Sequence, residues 1–518
     1  MIRLESDWSL TDEVHADVAI VGAGAAGISL AIELEGYGLS VLLLEGGQSE
    51  YSKDSRNLYS GDSTGVPLPY GLEGSRPRFM GGGTNTWGGS CGELDDEDFL
   101  ERDWVKLSGW PLEKKDLNES YKRAARFLKL QEPVSESADV SRGFKQISGM
   151  DFRFITGTSV LRFRSEFDAH LKASKKIQLL LGANCVAISS TDEGSAVKSL
   201  KIAGFKGSTV EVKANKFVLS CGGIENARLL LNSYEQASYA LQRNKNTGKY
   251  FSDHPIAPCA TVVGYTSQPG DLSFEVLSAL AKVQTTGGPT IMPFYKLPYE
   301  IQKSERVLNA AVQFYIQEPE VSPVLVSLWR IRNYIVGNSS SIKASDVRNV
   351  LFHPLSLVRG ILGKKMGARR LAMRFQIEQS PNPASKVTLS KSKDRFGLKK
   401  VSLNWAFTSL ERRTIDVLIQ YVAKQFSSQG EGVINVDTAL NSDRDNLPPD
   451  LRGGQHHSGT TRMSESADNG VVDVNLKVFG MDNLYVVGSS IFPTNGWVNP
   501  TYTIVALSCR LAKHLKSS

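Results

Sequence analysis

Three glycines and one carboxylate carry the first chemical signal. In Gly22-Ala23-Gly24-Ala25-Ala26-Gly27, the first glycine permits a tight turn and the second lets backbone approach a pyrophosphate. The third lets a helix pack closely on a strand. Ala25 and Ala26 fall in the first turn of that helix, whose unpaired N–H groups and dipole favour phosphate oxygens. Glu45, eighteen residues beyond Gly27, is placed to accept ribose hydroxyls. Glycines at this spacing also occur in turns that bind nothing. The strand before, the helix after and the carboxylate downstream make a bound dinucleotide the better reading.

Histidine supplies the second possibility, because imidazole titrates near neutral pH. The chain has 7 histidines. His456 and His457 are adjacent near the C-terminus, and His254 stands in Ser252-Asp253-His254-Pro255, where it reads as a residue that holds a turn. A lone histidine is usually a structural hydrogen bonder, and Asn499 before Pro500 is usually a helix cap. Their types alone assign no role. The 5 cysteines are scattered and never in a C-x-x-C pair, so no disulfide framework or zinc ribbon is expected. No cluster has metal-ligand spacing, and no nucleophile elbow occurs.

The elements that must position these residues form a βαβ unit. Asp17 to Val21 reads as a buried parallel strand, followed by a helix to about Gly36 and a second strand from Val41 to Leu44. Residues 51–110 have no sustained period and read as ordered loop, with a dense glycine patch at 81–92. Residues 114–130 have helical spacing. Strand, glycine turn and helix recur from Lys216 through Cys221 and Gly222, and again at Leu484–Val487, Gly488 and a helix through His514. Between them, from about 255 to 430, alternating strands and mixed helices lack a glycine fingerprint. The expected fold is α/β: a discontinuous Rossmann-like domain, 1–254 and 440–518, and a second domain, 255–439, on a largely antiparallel sheet with helices.

Composition sets the outer limits. With 518 residues, 41% hydrophobic and 22% charged, the chain is an ordinary globular protein of two to four domains. No apolar run approaches the length of a membrane span, and the N-terminus is too polar for a signal peptide, so a cytoplasmic location is expected. The formal net charge of +6 is too small for a dedicated nucleic-acid binder.

Seven segments in order resemble the glucose-methanol-choline (GMC) flavin oxidoreductases from end to end. They are the N-terminal fingerprint, GGGTNTWGG at 81–89, GWPL at 109–112, KFVLSCGGIENARLLLNS at 216–233, GKYFSDHP at 248–255, EQSPNPASKVTLS at 378–390, and HHSGTTRM through GWVNPTYT from 456 to 503. The branch most similar contains pyranose oxidase and related sugar and aminoglycoside oxidoreductases. The resemblance implies FAD beneath a loop that includes Gly82, Gly83, Thr84, Asn85, Trp87 and Gly88, with Thr84 and Asn85 near the pyrophosphate or the isoalloxazine. It implies Val186 beside the adenine, and Ser220, Cys221 and Gly222 beside the adenosine. Gly488 and Ser489 complete the cofactor site, although many members carry Asp where this chain has Gly488. A helix starting at Asn499-Pro500 would aim its N-terminus, with Pro500 and Thr501, at the flavin pyrimidine. Members with covalent FAD attach it through a histidine before the loop tryptophan; here that residue is Thr86, so FAD should be non-covalent.

The same resemblance implies alcohol oxidation, with His456 as base for the O–H proton and Asn499 orienting the substrate oxygen. His457 is the neighbouring competitor. The implied substrate is a sugar, glycoside or polyol, and the acceptor is oxygen, a quinone or a redox partner. Alternatives within the family are a sterol or other lipid alcohol, or a hydroxynitrile-type lyase. A vestigial flavin-binding protein is disfavoured by the intact His456 and Asn499. Between 321 and 371, nine Lys or Arg residues stand against Asp346 alone, interleaved with apolar residues. This is expected to be a solvated cap or, alternatively, a membrane-surface or redox-partner contact.

Overall fold

The computed structural model describes residues 2–3, 14–68, 70–130, 147–158, 161–235, 243–263, 291–317, 370–429, 433–436, 448 and 450–517, with single residues at 327, 331 and 348. The basic segment therefore lies almost wholly outside the described residues.

The fingerprint strand Val14–Val21 lies at the centre of the first sheet. On one side it pairs in parallel with Val41–Glu45, which pairs with Ile177–Leu181 and then Ile2–Arg3. On the other side lies the long strand Thr209–Leu219, again parallel. The first half of that strand pairs antiparallel with Val197–Ala203, which continues to Asn184–Ser190; its second half pairs in parallel with Leu484–Val486. The central strands are apolar on both faces because helices cover them. Helix Ala25–Gly36 packs against the C-terminal helix Thr501–Ser517, so the two ends of the chain close one layer.

The second sheet is antiparallel. Its order is Val433–Val436, Pro255–Val263, Arg370–Ile377, Ala310–Gln317, Ile291–Lys296, Asp151–Gly157 and Ser90–Cys91, with Arg452–Gly453 also on Pro255–Val263. Two of its strands thus precede residue 254. Strand alternation divides its residues between two faces. Met373, Phe375 and Ile377 join Val312, Phe314 and Tyr295 in a core beneath helix Ser409–Ser428, whose Ile415, Leu418, Ile419, Val422 and Phe426 supply the apolar stripe. Arg374 and Gln376 face the other way. That helix opens on a capping box, Thr408 with Glu411. A small sheet, Lys386–Lys393, Lys399–Trp405 and Gly61–Gly65, completes the architecture.

Where the sequence places a helix over 114–130, the α-helix is Asn118–Phe127. The last helix begins at Thr501 rather than Pro500, with the Ile504 N–H donating to the Pro500 carbonyl. Among the described residues no helix is long and apolar enough to cross a membrane.

Candidate active site

A cavity of about 520 Å³ runs from the glycine fingerprint to the free face of the second sheet. At one end it is lined by Gly22, Gly24, Ala25, Ala26, Glu45 and Val186, with Cys221 and Gly222 closing that end. Gly82, Gly83, Thr84, Trp87 and Gly88 cover its middle; Gly488, Ser489, Pro500 and Thr501 lie opposite, and His456 and Asn499 stand at the far end. Two expected cofactor residues do not reach it. Gly27 is buried beneath the turn, where a Cβ would lie 1.9 Å from the Gly22 carbonyl oxygen, so its contribution is the close packing itself. Asn85 bends back onto its own loop, with Nδ2 donating to the carbonyls of Met80 (2.9 Å) and Gly82 (3.0 Å).

The cavity walls have the shape and polarity for a dinucleotide. At Gly24 a Cβ would meet nothing closer than the Gly82 Cα at 3.9 Å, and at Gly83, Gly222 and Gly488 it would meet nothing within 4 Å. Helix Ala25–Gly36 has no side-chain cap at its N-terminus, leaving N–H groups for an anion. Glu45 is engaged by the turn, its two oxygens accepting from the N–H groups of Ala23 (3.0 Å) and Gly47 (2.7 Å). Thr84 braces the covering loop, donating to the Gly81 carbonyl (2.7 Å) and accepting from the Phe163 N–H (3.1 Å). Sequence reasoning missed Arg78, whose guanidinium lies against Gly46 and 5.5 Å over the Tyr59 ring at the same end. Its signal is a pair of cations, Arg76 and Arg78, just upstream of the glycine loop.

At the other end, two chain segments run side by side. Ser252 bridges Ser458, Pro255 pairs with Gly453, and Ile256 pairs with Arg452. The Asp253 carboxylate ties them together, accepting from the N–H groups of His254 (2.7 Å), His456 (2.8 Å) and Gln455 (3.2 Å). Burial pushes its pKa up to about 7 against these bonds. Gln455 has φ 61°, a left-handed conformation uncommon outside glycine, and a Cβ at Gly454 would come within 2.6 Å of His456 Nδ1. Together these two residues seat the His456 ring.

That ring lies in a chain of hydrogen bonds with one direction. His254 Nε2 is 3.1 Å from the Asn495 carbonyl oxygen, which can only accept, so Nε2 carries the hydrogen. Burial lowers the His254 pKa to about 4, so the ring is neutral near pH 7 and its Nδ1 is bare. His254 Nδ1 lies 2.8 Å from His456 Nδ1, which must therefore donate. His456 Nε2 is then left bare and accepts from Asn499 Nδ2 at 3.1 Å. Burial, then the neighbouring His254 and His457, hold His456 well below the usual imidazole range. The result is an unprotonated nitrogen facing the cavity with an amide donor beside it. His254 is thus more than the turn residue that its sequence context suggests.

His457 points away from this chain. It stacks 5.5 Å from Phe251, its Nε2 lies 3.8 Å from Asp253 without a hydrogen-bond partner, and its carbonyl accepts from the Ser489 hydroxyl. Asn499 is placed by a rigid loop. Trp497 is buried, its indole N–H donating to Asp95 (2.8 Å), and its carbonyl accepts from Gln376 Nε2.

Residues 381–508 match the GMC oxidoreductase C-terminal family, and residues 17–58 match the lycopene cyclase protein family. The chain is 22% identical to the 2-methyl-1,2-propanediol dehydrogenase of Mycolicibacterium austroafricanum over 98% of its own length and 96% of that protein's. It is 27% identical to the C-glycoside 3-oxidase of Arthrobacter globiformis over 24% of the chain, a match that spans only 22% of that relative. A solved structure of Aspergillus oryzae RIB40 formate oxidase, determined in a study of FAD modification, superimposes with TM-score 0.60 at 17% identity, covering 98% of this chain and 99% of that one.

Proposed function

We propose, from the premise that the chain is a GMC oxidoreductase, that it oxidises the CH–OH group of a sugar, glycoside or polyol to a carbonyl with FAD as cofactor. The bare His456 Nε2 beside Asn499, opening into the cavity, is the observation that carries this reading. Gly22, Gly24 and Glu45 with the helix behind them would hold the adenosine and pyrophosphate; the 82–88 loop, Gly488, Ser489, Pro500 and Thr501 would hold the flavin. When bound, FAD supplies the acceptor for the hydride that leaves carbon.

The protein's own groups handle the proton. His456 Nε2 accepts the hydroxyl hydrogen as the C–H pair departs, leaving a carbonyl product and an imidazolium. The Asn499 amide, which donates to His456 Nε2, would turn its N–H to the substrate oxygen when an alcohol enters, freeing the single lone pair of Nε2 for the hydroxyl hydrogen, so alcohol and base meet in one orientation. His254 keeps the receiving nitrogen bare. FAD is held without a covalent bond, because Thr86, beside Trp87 in the cavity wall, has no nucleophilic nitrogen. The yellow chromophore should leave with the supernatant on acid precipitation; colour retained in the pellet would contradict this.

The deciding experiment is anaerobic flavin bleaching with sugars, glycosides, polyols, aminoglycosides and sterols, followed by reoxidation with oxygen or a quinone. Bleaching by a hydroxylated carbohydrate is expected. Bleaching by sterols alone would move the substrate class, and hydroxynitrile cleavage without bleaching would replace oxidation by lyase chemistry.

A further inference from the structure

Two guanidinium groups enter the cavity from the second sheet. On the strand Arg370–Ile377, the alternation that sends Met373, Phe375 and Ile377 into the core turns Arg374 and Gln376 toward the cavity. Gln376 is anchored to the Trp497 carbonyl, two residues before Asn499. Arg374 is two residues along the strand from it, roughly 7 Å. Ile256 pairs with Gln376 on one side and Arg452 on the other, which brings Arg452 onto the same wall.

These two arginines differ from the buried, ion-paired ones. Arg102 is paired with Glu378, Arg153 with Asp95, and Arg228 with Glu225 and Asp394. Arg374 donates through Nε (2.8 Å) and Nη2 to the neutral Gln313 Oε1 and lies 5.8 Å from the centroid of the Tyr315 ring. Among the described residues no carboxylate forms an ion pair with Arg374 or Arg452. Burial weakens Arg374's hold on its proton; the Tyr315 phenol opposes this effect and the charge of Arg452 adds to it. A guanidinium has five N–H donors in a planar fork that fits two oxygens of one anion, and Gln313 occupies only part of it. A half-buried cation with a second cation near it is unfavourable unless an anion joins them.

We infer that Arg374 and Arg452 bind the anionic end, a carboxylate or phosphate, of a hydroxy compound whose alcohol lies against His456 and Asn499. This rests on the alcohol-oxidising reading above and narrows it to sugar acids or sugar phosphates. The same charges disfavour amino sugars, which would bring a third cation to the wall.

The FAD-loaded enzyme should be reduced anaerobically by D-glucose, D-glucuronate, D-gluconate, D-glucose 6-phosphate and D-glucosamine. At least one anionic compound should reach half-saturation at a concentration tenfold or more below glucose, and added salt should erode that preference. Glucuronate against glucose 6-phosphate identifies the anion. Arg374→Gln and Arg452→Gln should each lower the anionic-to-neutral preference by tenfold or more. Arg452 is exposed, so its variant tests the idea even where Arg374→Gln misfolds. Succinate and inorganic phosphate, which have no oxidisable hydroxyl, provide a separate arm: either should raise the parent's melting temperature at low salt more than the variants'. Neutral and anionic sugars used equally, with that ratio unchanged in Arg452→Gln, would overturn the inference while leaving alcohol oxidation standing. No bleaching by any alcohol, with anion stabilisation intact, would do the reverse.

Discussion

His254 Nδ1 lies 2.8 Å from His456 Nδ1, and a backbone carbonyl, that of Asn495, determines which of the two carries the hydrogen. Because that carbonyl cannot ionise, the direction of the chain is fixed by the fold for as long as both rings stay neutral. On the proposed mechanism, the receiving nitrogen on His456 is prepared before any substrate arrives.

His254→Ala should keep FAD but slow flavin reduction about tenfold, the effect of losing one orienting hydrogen bond worth on the order of 1 kcal/mol. The parent should retain its rate well below pH 6.5, because the active form is neutral and burial lowers His254 to about 4 and His456 well below its usual value. Protonation, and with it loss of activity, belongs to the acid side of that window. In His254→Ala the acid limb should move. Asp253, raised to about 7, is the other titrating group in contact with this backbone, and any limb near neutrality should vanish in Asp253→Asn. A parent profile that falls at pH 6.5 and is unchanged in both variants would refute the assignment.

His456→Ala should bind FAD normally and reduce it roughly 10² to 10⁴-fold more slowly, the range for a positioned general base. Asn499→Ala should cost less, about ten- to a few hundred-fold, because it removes neutral donors only. His457→Ala is the control, since its ring turns toward Phe251. Stopped-flow reduction compares all three; loss in His457→Ala with retention in His456→Ala would exchange their roles.

Gly24→Ala and Gly27→Ala should fail differently. A methyl at Gly24 meets only the Gly82 Cα at 3.9 Å, so the apoprotein should fold and melt normally while FAD binding weakens tenfold or more. A methyl at Gly27 strikes the Gly22 carbonyl oxygen at 1.9 Å, so its stability should fall with or without FAD. Thermal melts of apoprotein and an FAD titration separate the two; equal apoprotein destabilisation would argue against an open cradle at Gly24.

Arg102 and Glu378 form a fully buried two-bond pair, at 2.8 and 2.6 Å, between the loop after Phe99 and the second sheet. Arg102→Met leaves Glu378 charged near Asp98, and should cost about 3 to 5 kcal/mol in denaturant unfolding. Adding Glu378→Gln should recover a large part. No recovery in the double variant would mean that packing, and not the stranded charge, sets the loss.

The site was unevenly legible in the sequence. The fingerprint, Glu45 and the strand turns near 217 and 485 depend on short-range patterns, in which an apolar run ends on glycine. His456 and Asn499 came from motif resemblance, and the fold places them in contact. His254 reads as a turn residue in the sequence because its two partners, His456 and Asn495, lie more than 200 positions away and no local period encodes them. Arg374 and Gln376 were legible in principle as the polar half of an alternating strand. Only the sheet order reveals that their face looks onto the site, with the helix on the other.

The strand Leu484–Val486 and the helix Thr501–Ser517 complete the sheet and layer begun by residues 14–45. During synthesis the fingerprint strand emerges well before Leu484–Val486, which pairs with its neighbour Thr209–Leu219, and before the packing helix. The first sheet cannot close before residues 484–486 are made, and contacts between these widely separated segments must form late and slowly. Cofactor capture is therefore expected to wait for residues 484–517, and a nascent chain stalled before residue 484 should hold no flavin.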